Sequence, residues 1–259
     1  MAKVVAVHSF RGGTGKSNLT ANLAASLAMK EHRVAIVDTD IQSPGIHALF
    51  GLEEDRIGRC LNDYLWERCS VEDAAYDLTA ALGARPRDGG SIYLVPSSIK
   101  SGDIARVLRE GYDVGRLNDG FHDLATRLRL DYLFIDTHPG LNEETLLTIA
   151  VSHLLILLMR PDRQDYQGTA VTVEVARKLE VPELLLVVNM ALTALDVGEL
   201  RQQVESAYRA PVAAVLPLTE DLVRMASADL FSLREPDHPW SREVRGIADR
   251  IARLVMNSF

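Results

Sequence analysis

Between residues 9 and 18 the chain reads SFRGGTGKSN. Three glycines, Gly12, Gly13 and Gly15, surround Thr14 and lead into Lys16, Ser17 and Asn18. Glycines let a backbone turn its N–H groups inward, where they cradle the oxygens of a phosphate. Lys16 adds a mobile point charge for the outer phosphates, and the Ser17 hydroxyl is of the type that ligates magnesium. A glycine-rich turn that binds nothing is the plain alternative. The usual frame of such a loop, G-x-x-x-x-G-K-[ST], does not fit, because its first glycine would fall on Phe10. A cation, Arg11, stands directly before the double glycine instead.

A magnesium–phosphate site also needs carboxylates, and these belong at the carboxyl ends of strands beside the loop. Asp136 closes the run DYLFID and has the form of an acid that reaches the metal through water. Asp38 and Asp40, in VDTDIQSPG, fall at the end of another apolar run, where period-2 alternation would put both on one side. Any one of these aspartates serves equally well as a helix cap or turn former. Three beside one loop point to a shared task.

The elements that must hold these residues can be read from the apolar pattern. KVVAVHS (3–9) is a continuous β-branched run, the mark of a strand buried on both faces. Leu19, Leu23 and Leu27 draw a helix face up to about Lys30, and RVAIVD (33–38) is a second buried strand. Strand, glycine loop, helix and strand make a βαβ unit with a right-handed crossover. Further strands are expected at 91–96, 131–136, 153–159, 183–189 and 211–217, with helices over 114–130, 168–179 and 197–208. The fold class is therefore α/β: a mostly parallel, doubly wound sheet flanked by helices, as one domain over residues 1–259. GARPRDGG (83–90) is the clearest loop and has no look of a domain linker.

Composition sets the bounds. A chain of 259 residues, 47% hydrophobic and 25% charged, is ample for one large α/β domain. A net charge of −8 argues against a general nucleic-acid binder. Cys60 and Cys69 lie nine residues apart in a helix-like stretch and form no C-x-x-C pair, as expected of thiols in a reducing compartment. The longest apolar runs, such as LLILLM (154–159), are too short to span a bilayer, and MAKVVAVHSF has no secretory pattern. The expected location is the cytoplasm.

Taken in order, these motifs resemble the ParA/MinD family of P-loop ATPases. RGGTGKS resembles that family's deviant Walker A motif, K-G-G-x-G-K-[ST], and VDTDIQSPG resembles its switch I. IDTHPGL (135–141) resembles its Walker B and switch II, and VVNM (187–190) its strand-end asparagine that reads adenine. LPLTEDLVRMASADLFSLREPDHP (216–239) resembles the late segment whose proline-bearing loop covers the base. The resemblance runs from about Lys3 to Arg253. It implies a P-loop NTPase fold, ATP and ADP with Mg2+, and slow, partner-stimulated hydrolysis of ATP to ADP and phosphate. It further implies a homodimer in the ATP state.

By position, the resemblance assigns Gly12, Gly13, Thr14, Gly15, Lys16, Ser17 and Asn18 to the phosphates. Ser17, Asp38, Asp40 and Asp136 would serve the metal, and Asp40 would orient the attacking water. Asn189, Pro217 and Leu218 would hold adenine. Arg11 takes the place of the family's signature lysine, which reaches across the dimer to the partner's phosphates. Arginine keeps the charge, but the two residues are not interchangeable, and a surface pairing of Arg11 with a nearby acid is the other reading. His138 is a second departure, where many relatives carry a small residue or proline, and it reads as a hydrogen-bonded switch-loop residue.

The implied function is a dimerisation switch that positions a chromosome or plasmid, a division site or another assembly through a regulatory or cargo adaptor. A P-loop metabolic ligase that phosphorylates a substrate carboxylate is the alternative, as is a poorly hydrolysing nucleotide-binding adaptor. A metal-cluster carrier is disfavoured by the lack of a cysteine pair. MinD-type relatives add a membrane-targeting helix after the last domain helix. Here Trp240, Val244, Ile247, Ile251, Leu254 and Val255 share one face, read as a closing core helix rather than a membrane anchor. Arg242, Arg245, Arg250 and Arg253 offer a patch for non-specific DNA binding, but Asp237, Glu243 and Asp249 interrupt it. A solvated face with helical ion pairs is the competing reading.

Overall fold

Every second residue of a buried strand faces the same side of its sheet, and this parity organises the molecule. The computed structural model describes residues 2–83 and 89–256. Its strands are β1 (Lys3–His8), β2 (Arg33–Asp38), β3 (Tyr76–Asp77), β4 (Ser91–Val95), β5 (Tyr132–Asp136), β6 (Leu154–Met159), β7 (Glu183–Ala191) and β8 (Val212–Pro217). They form one eight-stranded sheet in the order β3-β4-β2-β5-β1-β6-β7-β8. Each neighbouring pair is parallel except β3 with β4. The two-residue edge strand β3 has no alternating pattern that would announce it in the sequence.

The helices are α1 (Lys16–Ala28), α2 (Leu61–Leu65), α3 (Ser101–Glu110), α4 (Val114–Arg127), α5 (Glu143–Val151), α6 (Arg163–Lys178), α7 (Val197–Tyr208), α8 (Glu220–Met225), α9 (Phe231–Arg234) and α10 (Pro239–Met256). Val5, Val7, Val34, Ile36, Phe134 and Ile156 point to one face of the sheet and pack against α1 and α10. Their sequence neighbours Ala35, Val37, Leu133 and Ile135 point the other way, against Leu117, Phe121 and Leu124 of α4. Leu157, Leu186 and Val188 do the same against α6 and α7. The sheet is doubly wound, as its uninterrupted apolar strands require.

Several boundaries differ from the sequence expectation for identifiable reasons. α6 begins at Arg163, five residues before its apolar pattern, because the Asp162 carboxylate accepts the N–H groups of Gln164 and Asp165 as a cap. The stretch around the cysteines holds only the short α2, with Cys60 at its cap and Cys69 beyond its end. Residues 84–88 of the expected loop lie outside the described residues. In α10, Trp240, Val244, Ile247 and Ile251 are buried and Leu254 is partly buried against the α1 core, so its apolar face is already occupied. The Val255 side chain lies outside the described residues. Asp249 pairs with Lys30 at the end of α1, which ties one acid of the arginine-bearing face to a neighbouring helix. No described helix is long and apolar enough to cross a membrane.

Candidate functional site

Parity also decides where the strand ends aim. Asp38 and Asp136 lie directly opposite each other at the ends of β2 and β5. Both continue the residue series that faces α1. Asp136 therefore meets the first turn of α1: its Oδ2 accepts from the Ser17 hydroxyl at 2.6 Å and its Oδ1 from the Thr20 hydroxyl at 2.9 Å. Thr20 was not among the residues expected from the sequence. Its spacing of three from Ser17, on one helical face, was the available signal.

The glycine loop is held from two sides. Gly13 (φ 73°) and Gly15 (φ 90°) adopt the left-handed conformation that glycine accepts without cost. A Cβ on Gly15 would lie 2.6 Å from the Asn189 amide nitrogen. That nitrogen donates to the Thr14 carbonyl at 2.7 Å. Thr14 donates its hydroxyl to Ser9 at 2.9 Å, and Ser9 donates to the Arg11 carbonyl at 2.7 Å. The first N–H groups of α1 have no partner within the helix and face outward, with the positive end of the helix dipole behind them. Gly12, Gly13, Gly15, Lys16, Ser17 and Asn18 line a cleft of about 300 Å³ together with Asp40, Ser43, His138 and Pro139.

The acids beneath the cleft are buried at a cost. Burial pushes the Asp38 carboxyl well above the ordinary carboxylate range, and the nearby Asp136 and Asp40 add to that push. Burial raises Asp136 too, while Lys16 and the hydroxyls of Ser17 and Thr20 pull it back. Asp38 Oδ2 is buried without a hydrogen-bond partner in the protein. These are hard oxygen donors, and with Ser17 they suit an ion such as magnesium. Among the described residues no group of three or more His, Cys, Asp or Glu side chains could hold a metal ion. Ser17 and Asp136 are the side chains placed to hold magnesium, with Asp38 and Asp40 beside them.

Alternation does not bring Asp40 to the site, contrary to the sequence argument. β2 ends at Asp38, the Thr39 N–H bonds the Asp136 carbonyl at 3.0 Å, and the Asp40 N–H folds back on Asp38 Oδ1 at 3.0 Å. A turn, not a strand, carries Asp40 to the cleft, where its Oδ1 lies 2.7 Å from His138 Nδ1. His8, at the end of β1, is buried on the opposite face. Its Nδ1 bonds the Thr137 hydroxyl at 2.7 Å, and its Nε2 has no partner in the protein. Burial, with Lys16 and His138 nearby, lowers its pKa to about 3.

Three expected site residues stand apart from this cleft. Arg11 lies on the far side of the loop, with its guanidinium 3.6 Å from Asp162 and 3.5 Å from Asp165 at the start of α6. Just before it, the Phe10 ring packs so closely on Gly168 of α6 that a Cβ there would lie 2.2 Å from the ring. Pro217 pairs with Ala191 across β8 and β7, and the Leu218 N–H donates to the Ala191 carbonyl at 2.8 Å. Pro217 lines a separate cleft of about 440 Å³ with Leu192, Leu195, Val197 and Arg242. Cys60 is buried, and that burial pushes its thiol up to about 11.

Comparison with known proteins bears on the family and the fold. A family model described as the CobQ/CobB/MinD/ParA nucleotide-binding domain matches residues 5–232. An uncharacterised ATP-binding protein of Methanocaldococcus jannaschii is 26% identical over 254 residues, covering 97% of this chain and 88% of that protein. The iron–sulfur cluster carrier protein of Rickettsia conorii is 27% identical over 238 residues, covering 88% of this chain and 65% of the carrier. Among solved structures, the septum site-determining protein MinD of Pyrococcus horikoshii, complexed with Mg-ADP, matches with a TM-score of 0.80 at 20% identity over 98% of both chains. That last likeness is one of fold.

Proposed function

The chain belongs to the CobQ/CobB/MinD/ParA nucleotide-binding family, and from that premise we propose that it is a magnesium-dependent ATPase whose ATP state is a homodimer. The observation that carries this reading is the contact of Ser17 with Asp136 at 2.6 Å beneath a glycine loop that lines an open cleft. Residues Gly12 to Asn18 hold the phosphates, with Lys16 supplying charge and Ser17 and Asp136 the metal contacts. Asp38 supports the metal and the loop lysine, and Asp40 orients the attacking water. Asn189, Pro217 and Leu218 hold the base. Phosphoryl transfer to water needs positioning and charge more than covalent help, and this set provides both.

Arg11 is the cation that crosses the dimer. In the single chain it rests on the half-exposed Asp162, a pairing that is cheap to break, and on the buried Asp165. Coupling ATP to dimerisation suits a switch that positions or partitions a cargo through an adaptor protein. The iron–sulfur carriers among the relatives make a carrier function the competing use of the same switch. The two cysteines here, one buried and one half-buried, form no C-x-x-C pair, which weighs against that use. A metabolic ligase is the second reading, favoured by the 440 Å³ cleft, where Arg242 has no ion-pair partner among the described residues.

Molar mass by light scattering, with ADP and with ATP plus magnesium, tests the proposal on the wild type and on Arg11→Ala. A doubling with ATP alone, absent in Arg11→Ala, is expected. A mass that never responds to ATP ends the switch reading, and turnover that depends on an added small carboxylate then favours the ligase.

A further inference from the structure

Asp40 reaches the cleft on a turn, and a turn by itself leaves a short carboxylate free to rotate. Two contacts remove that freedom. The Asp40 N–H donates to Asp38 Oδ1 at 3.0 Å, which fixes the backbone. His138 Nδ1 lies 2.7 Å from Asp40 Oδ1, which fixes the side chain. A carboxylate offers only acceptors, so Nδ1 carries the hydrogen and donates. The pair is mostly shielded, at 22% exposure for His138 and 13% for Asp40, and both side chains line the cleft with Lys16 and Ser17.

The imidazole has a firm base. The preceding residue, Thr137, donates its hydroxyl to the Val7 carbonyl at 3.0 Å, and the His138 carbonyl accepts from the Thr145 hydroxyl at 3.5 Å. His138 is thus tied to β1 and to α5, while Asp40 sits on the mobile type of element, a turn. One hydrogen bond joins the segment after β2 to the segment after β5. With Oδ1 engaged, Oδ2 is the Asp40 oxygen left for another donor.

We propose that His138 is a positioning residue that holds the Asp40 carboxylate in the orientation its water-directing task requires. The inference rests on the ATPase reading, which gives Asp40 that task. The hold needs a donor at the Nδ1 position and nothing more from the ring. Nε2 makes no hydrogen bond to a described residue, so a direct role of the ring on the phosphate or water is the competing account.

Three substitutions separate these accounts, because an asparagine amide nitrogen sits where Nδ1 sits and a glutamine amide sits nearer Nε2. Steady-state ATP turnover and the affinity for a fluorescent ATP analogue with magnesium are measured for His138→Ala, His138→Asn and His138→Gln. His138→Ala should lower kcat by about 10- to 100-fold, the scale of a misplaced catalytic group, with affinity changed by no more than about 2-fold. His138→Asn should recover kcat to within about 3-fold of wild type, and His138→Gln should not. Unchanged kcat in His138→Ala overturns the proposal, and so does an asparagine variant as impaired as alanine, which would place the work on Nε2. A crystal structure of His138→Ala reads the same point without turnover: Asp40 in a new rotamer supports the hold, and an unmoved Asp40 refutes it. A wild type that binds ATP but never hydrolyses it would instead defeat the ATPase reading, while the rotamer result still decides the hold.

Discussion

On the β5 side of the glycine loop, Asp38 and Asp136 are each 1% exposed and sit opposite one another in register. On the α6 side, Arg11 and Asp162 meet at 38% and 43% exposure. The buried acids crowd each other and have lost their water; Lys16, Ser17 and Thr20 offset this for Asp136, while Asp38 Oδ2 is left without a partner in the protein. The exposed Arg11–Asp162 pairing is screened and worth little, whereas Asp165 is buried and its Oδ1, 3.5 Å from Arg11, makes no hydrogen bond. If Arg11 leaves, Asp165 keeps the Arg160 N–H at 2.8 Å and the Arg160 guanidinium at 3.2 Å. One side of the loop is thus a buried cluster of acids, and the other a partly exposed resting place for a cation.

The sharpest way to break this contrast is Lys16→Ala. Lys16 draws the raised Asp136 carboxyl downward and lines the cleft. Its loss should weaken ATP binding by more than about 100-fold, equivalent to some 3 kcal/mol or more, in a calorimetric titration. Unchanged affinity would falsify the loop assignment.

His8 comes next. Its pKa is about 3 in the fold against an ordinary 6.5, so the unfolded chain binds the extra proton between those values. Stability from this residue is present above pH 6.5 and is lost as pH falls below it, by up to about 1.4 kcal/mol per pH unit. Urea midpoints at pH 7 and pH 5 should therefore drop more in the wild type than in His8→Gln. Equal drops would mean that the buried side tolerates charge and would blur the contrast.

Asp38→Asn removes one of the two opposed acids while keeping its shape. The nucleotide-free protein should gain about 1 kcal/mol, a rise of roughly 2–4 °C in Tm, and lose part of its magnesium-dependent ATP affinity. A fall in Tm would show that the carboxylate is already compensated. Smallest of all, Asp162→Asn keeps the α6 cap and removes a charge from the Arg11 pairing. Its stability should stay within about 0.5 kcal/mol of wild type, and ATP should drive dimerisation at equal or lower protein concentration. A loss of several kcal/mol would contradict a disposable resting place.

Much of this was legible in the chain because buried parallel strands write themselves as unbroken apolar runs. β1, β2, β5, β6 and β7 were placed to within a residue or two, and the glycine loop with its lysine and serine fell where expected. The acid pair was legible, but its partnership was not. Parity within a strand suggested Asp38 with Asp40, while the register between strands sets Asp38 against Asp136. A single sequence carries no strand order, so this contact could not be read from it. The Arg11 partners escaped for a different reason. Asp162 and Asp165 lie in a polar first helical turn that has no apolar period, and only their capping spacing marks them. β3 and the short α2 are held by their surroundings rather than by a pattern of their own.

Asn189 carries one more consequence. Its amide nitrogen braces the carbonyl of Thr14, and its bulk faces a glycine that has no room for a side chain. The side chain is thus a strut between the end of β7 and the glycine loop. Loss of that amide would free the Thr14 carbonyl, so a change made at the far end of β7 would be felt in the shape of the whole loop.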